Sequence, residues 1–182
     1  MSENLAQHLT PGVLDGYALR AFKYGGCGAL ALALHDATGW PIVAITDHHN
    51  VFEDGQAGGG SALHWTVRHP DGRLIDIDGA HDPEDLVEAY HGDADDGQAA
   101  AGVSSREDVV EWYIECQGEP IPVTLAASFV SPLLEAIRAQ DVLANELGEN
   151  DALASELGRN DALASEPGLL SELGRAPLRR PR

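Results

Sequence analysis

Apolar residues run almost without a break through CGALALALHDAT at 27–38. Ala and Leu are strong helix formers, Gly25-Gly26 precedes the run and Gly39 stands where a C-cap glycine belongs, so the pattern predicts a helix over 27–38. PIVAITD at 41–47 is a short, β-branched apolar run and reads as a buried strand. The polar, Gly-rich stretch at 48–61 reads as a loop. ALHWTVRH (62–69) and RLIDID (73–78) then flank Pro70-Asp71-Gly72. Proline presets the first turn position, aspartate suits the second and glycine takes the left-handed third, which predicts a β-hairpin with a three-residue loop.

Asp82-Pro83 supplies an N-cap and a first-turn proline for a short helix ending near Gly92. The acidic, small-residue stretch 93–103 reads as a loop. Ser104 or Ser105 is expected to cap a helix reaching Gly118, with Val109, Trp112 and Cys116 on one face. PVTLA near 122–126 reads as a strand, and Ser131-Pro132 as the opening of another helix. From 141 the pattern changes: DVLANELGEN, DALASELGRN and DALASEPGLL align at a period of ten, and SELGR begins a fourth copy. These copies carry too little apolar surface to offset the entropy of ordering, so the expected object is a frayed, partly helical tail without a function of its own. The organisation expected is one α+β domain over 1–140 and a weakly structured repeat tail, helical or disordered, over 141–182.

Composition narrows the function. At 43% hydrophobic residues the chain can bury a core without metal or disulfides. It has no apolar run long enough to span a membrane and no secretory signal pattern, which makes the cytoplasm the expected location, signal-independent export aside. A formal charge of −19, with only Arg20, Lys23, Arg68, Arg73, Arg106 and Arg138 as strong cations before residue 140, argues against nucleic acid as a partner. It suits a basic protein partner. Cys27 and Cys116 are the only cysteines and are expected to be free thiols.

Cys27 opens the predicted helix, where the dipole and unpaired amides favour a thiolate and could hold an oxyanion; the competing reading is a buried small hydrophobe. His64 lies on the first hairpin strand. With a three-residue loop, His69 faces Arg73, which sets His64 opposite Asp78 and Thr66 opposite Asp76, so His64, Asp76 and Asp78 share a sheet face. A carboxylate there can fix the tautomer of the histidine and stabilise its imidazolium. The set His48, His49, His64, His69, Asp76, Asp78 and His81 lacks any established metal-ligand spacing, so no metal and no cofactor is expected. Cys116 reads as core and His35 as a surface residue near a helix C-terminus.

A helix opening with Cys, then a strand bearing His, then a second strand bearing a polar residue resembles the papain-like superfamily of cysteine enzymes. The twelve-residue step from His64 to Asp76 resembles its NlpC-like cell-wall peptidase branch. Transglutaminase-like proteins share the order, with an aromatic near the His as Trp65 is here. The resemblance covers roughly residues 22–80. It implies a papain-like core, in which a Cys-bearing helix packs on a small antiparallel sheet, and a thiol-dependent hydrolase or acyltransferase acting on an amide of a protein or peptide. Its implied residues are Cys27 as nucleophile, His64 as base and Asp76 as orienter, with Asp78 as the alternate and Tyr24 as the nearest oxyanion side chain. The competing function is a non-catalytic acidic binding or immunity-type module of the same fold.

Overall fold

A computed structural model describes residues 5–58, 62–95, 97–116 and 121–164. The chain divides into two units, Met1–Ala139 and Gln140–Arg182. The first is an α+β arrangement around one five-stranded antiparallel sheet. Its helices are α1 (Gly16–Lys23), α2 (Cys27–Thr38), α3 (Pro83–Glu88), α4 (Arg106–Cys116) and the start of α5 (Val123–Ala164). The strands are β1 (Ile42–Asp47), β2 (Ala62–Arg68), β3 (Leu74–Asp76), β4 (Gly79–His81) and β5 (Ala99–Ser104), in the spatial order β4-β3-β2-β1-β5.

The first eight residues of α2, Cys27 to Leu34, are apolar on every side and all buried. Such a segment has no solvent face and belongs inside a core. Gly39 closes it at φ 72°, with its N–H on the His35 carbonyl. Strand alternation divides the sheet into two faces. Ile42, Ala44, Trp65, Val67 and Ile75 share one, and pack with α1, α2, α4 and α5 in the larger apolar cluster. Val43, Ile45, His64, Thr66, Leu74 and Asp76 share the other, which Leu86 of α3 and Tyr90 cover. With both faces covered, all six residues of β1 are buried. Each fully buried Leu, Ile or Phe stabilises the fold by about 1.5–3 kcal/mol relative to exposure.

The hairpin register is the one counted from Pro70-Asp71-Gly72. His69 donates to the Arg73 carbonyl at 2.8 Å, Gly72 sits at φ 101°, and Arg68 pairs with Leu74 and Val67 with Ile75. The second strand, however, stops at Asp76 instead of running to Asp78. Ile77-Asp78 form a tight turn and Gly79, at φ 126°, returns the chain as β4, with Asp76 pairing Gly79 and Leu74 pairing His81.

Other expectations are corrected. A helix, α1, precedes Cys27; Asp15 caps it, accepting from Tyr17 and Ala18 N–H at 3.0 Å, and it buries Ala18, Ala21 and Phe22. Most of β5 falls in the expected loop at 93–103, and it pairs with β1 over its whole length. Its small residues are required: a Cβ on Gly102 would stand 2.8 Å from the Ala57 backbone nitrogen. The helix expected to reach Gly92 ends at Glu88, and a separate short turn covers His91–Asp93. Residues 123–126 are helical, and Pro122 just before them offers its carbonyl to Leu125 and Ala126 N–H. Ala126, Phe129, Val130, Leu133 and Ile137 recur at helical spacing and are all buried, so α5 continues through Pro132 instead of starting there. Ser105 caps α4 by exchanging hydrogen bonds with Asp108 at 3.0 and 3.1 Å. The expected helix end at Gly118 and the side chain of Cys116 lie outside the described residues.

In the second unit, α5 carries the first two ten-residue repeats and the start of the third as helix. Val142, Leu143 and Leu147 are 56%, 58% and 66% exposed. The rest of the third repeat and the fourth, over 165–182, lie outside the described residues.

Candidate functional site

The site begins at the corner between α1 and α2. Gly25 adopts φ 113°, a conformation that side-chain-bearing residues avoid. A Cβ on Gly26 would sit 2.7 Å from the Ala21 carbonyl oxygen and 2.6 Å from Ile121 Cδ1. Gly26 N–H instead bonds that same Ala21 carbonyl at 2.9 Å, so both glycines are required by the turn that delivers Cys27 to the first position of α2. Cys27 is a free thiol, 5% exposed, and packs at the margin of the larger apolar cluster.

His64 lies on β2 next to a bulge: Ile45 pairs with His64, but Thr46 pairs with Ala62. Because β3 turns back after Asp76, the directly opposite position, Asp78, no longer faces His64 across a ladder. Asp76 does the bonding from the diagonal position. His64 Nε2 and Asp76 Oδ2 are 3.0 Å apart, and both side chains are essentially buried, at 0% and 3% exposure. The other ring nitrogen, Nδ1, is buried with no hydrogen-bond partner.

Burial by itself would push His64 toward neutrality. The Asp76 hydrogen bond, followed by the hydrogen-bonding and charge influence of Cys27, outweighs it and raises His64 to about 9. Cys27 thus influences the imidazole, although no hydrogen bond joins it to Nδ1. Burial likewise opposes ionisation of Asp76, but hydrogen bonds from His64 and then His81 hold its carboxyl well below the usual carboxylate range. Tyr90 stacks on His64, with ring centroids 5.1 Å apart and planes 15° from parallel. Its phenol is pushed up by burial and then by the charge of Asp76.

Asp78 contributes through its backbone. Its N–H donates to Asp76 Oδ1 at 2.8 Å, while its carboxylate pairs with Lys23 of α1. His81, a histidine without metal-ligand spacing, also reaches Asp76 Oδ1, at 2.8 Å from Nε2. Asp76 is thus held at both oxygens. Neither Tyr90 nor His81 is marked as a site residue by the sequence pattern. His81 could have been found by continuing the alternation around a second hairpin, whereas nothing local marks Tyr90.

A cleft of about 650 Å³ opens against this group, and Asp76, His81, Tyr90, Gly25, Tyr24 and Trp112 are among its walls. Tyr24 is 72% exposed at this cleft. Cys27 and His64 are not among its walls, whereas Gly25, Asp76 and Tyr90 are. His48 and His49 are exposed on a short turn after β1. Among the described residues, no group of three or more His, Cys, Asp or Glu is placed to hold a metal ion. No helix among them is long and apolar enough to cross a membrane. Comparisons with models of protein families, with curated proteins and with solved structures found no match to this chain.

Proposed function

We propose that the chain is a thiol-dependent hydrolase or acyltransferase of papain-like type, acting on an amide bond of a peptide or protein. Cys27 is its nucleophile, His64 its base and Asp76 the orienter of His64. One observation carries this reading: a buried histidine has one ring nitrogen bound to a buried carboxylate and the other left without a partner on a ring that Cys27 influences. Leaving a buried ring nitrogen unbonded costs about 1–3 kcal/mol, so it needs an explanation. A proton-exchanging thiol supplies one.

In this mechanism the reactive form holds Cys27 as a thiolate beside the His64 imidazolium, and the sulfur attacks the amide carbonyl. The free amides at the start of α2 face the developing oxyanion. The imidazolium, stabilised by Asp76, then returns the proton to the leaving amine as the carbon–nitrogen bond breaks. Water or a second amine accepts the acyl group from sulfur, which decides between hydrolysis and transfer.

A second reading has its own support, the 5% exposure of Cys27 and the full burial of His64. In it the same group is a polar core feature of a non-catalytic acidic module that meets a basic partner. A peptidyl chloromethyl ketone separates the two. The expected result is one equivalent attached to Cys27, located by peptide mass spectrometry, with Cys116 unmodified and labelling lost in His64→Ala. Absence of label on Cys27, or equal labelling in His64→Ala, would remove the catalytic reading.

A further inference from the structure

Asp76 bonds two histidines. His64 Nε2 meets Oδ2 at 3.0 Å in a fully buried position, and His81 Nε2 meets Oδ1 at 2.8 Å from a side chain that is 27% exposed to the cleft. Two imidazoles on opposite oxygens of one buried carboxylate cannot titrate independently. We infer that His81 is a positioning residue of the site: it holds Asp76 from Oδ1 so that Oδ2 faces His64, and its charge sets how firmly that carboxylate retains the His64 proton. The role rests on the proposed function for its consequence, but not for the coupling itself.

The sign follows from charge. A protonated His81 draws on the same negative charge that stabilises the His64 imidazolium, so His64 releases its proton more readily while His81 is charged. Once His81 is neutral, His64 holds its proton more tightly. This matters because a group that must both accept and return a proton works best when its titration lies near the working pH. A buried histidine served by one carboxylate alone would be a poor proton donor. The other charged and titratable groups around His81 are Asp78 in the turn and Lys23 on α1, with Asp85 on α3 and Tyr90 and Asp93 beyond it along the cleft. Lys23 and Asp78 pair with each other, which leaves Asp76 as the main partner of His81. His81 itself is raised above the ordinary imidazole range, first by its hydrogen bond to Asp76. Facing the cleft as it does, His81 exposes this coupling to solvent and to whatever binds there.

The test is an NMR titration of the imidazole resonances in full-length Cys27→Ala protein, with and without His81→Gln. The glutamine can still donate to Oδ1 but carries no charge. In the parent, the His64 resonance should move in two steps, one of them at the midpoint of His81. In His81→Gln it should move in a single step, shifted upward by about half to one pH unit. An unchanged or lowered midpoint overturns the inference. If the glutamine variant does not fold, the parent titration decides alone, since a His64 resonance with no inflection at the His81 midpoint overturns it equally. Loss of Cys27 labelling in the preceding experiment would sink the catalytic reading while leaving this coupling intact. An uncoupled titration beside a labelled Cys27 would do the reverse.

Discussion

Asp76→Ala is expected to destabilise the fold by about 3–5 kcal/mol, because it leaves two imidazoles without the buried charge they share. A half-exposed strand position would lose far less, but the Asp76 side chain is 3% exposed and accepts from His64, His81 and the Asp78 backbone. Asp78→Ala is the control. Its carboxylate is 30% exposed and pairs with Lys23, itself 41% exposed, and such surface pairs contribute about 0–1 kcal/mol. Its backbone N–H survives the substitution. Urea unfolding of both variants at pH 6 measures the difference. A cost for Asp76→Ala no greater than that for Asp78→Ala would mean that the His64–Asp76–His81 group does not hold together in solution.

Stability is also expected to decline by about 2–3 kcal/mol as pH rises from about 6.5 to about 9. His64 is raised from 6.5 to about 9 in the folded protein, so its contribution is complete below the lower value and is lost as pH passes the upper one. His81, raised for a related reason, adds to the same slope. On the acid side, Asp76 is depressed. Its contribution is present above the ordinary carboxylate value of 3.8 and is lost progressively as pH falls below it. The stability maximum should therefore lie between about pH 4 and 6.5. Urea midpoints across this range test the claim, and His64→Gln should flatten the alkaline slope. Stability that is level or rising between pH 6.5 and 9 in the parent would contradict it.

The legible parts of the fold were those whose ends are written in local chemistry. Gly39 closes α2, Asp82-Pro83 opens α3, and Pro70-Asp71-Gly72 sets the register from which the His64–Asp76 diagonal can be counted. β5 was not legible, because AAAGVS has neither alternation nor large apolar groups; its small residues are there for β1 and for Ala57 to approach. The start of α5 was not legible either, since PVTLA carries β-branched residues whose strand tendency is overridden by burial of Ala126, Phe129, Val130 and Leu133 on one helix face. Around the site, the expected opposition of His64 and Asp78 dissolves because Ile77-Asp78 turn the chain back on itself. That turn converts Asp78 from a side-chain partner into a backbone donor and brings His81 onto Asp76. The stacking of Tyr90 on His64 depends on how α3 lies over the sheet, and no local pattern encodes that.

The proposed mechanism requires that His64 activate the Cys27 sulfur. The most direct measurement is the rate of iodoacetamide alkylation at Cys27 from pH 5 to 9, followed by mass spectrometry in the parent and in His64→Ala. Alkylation of Cys27 at pH 6 is expected to slow at least about tenfold in His64→Ala. Equal alkylation rates at Cys27 with and without His64 would overturn that assignment.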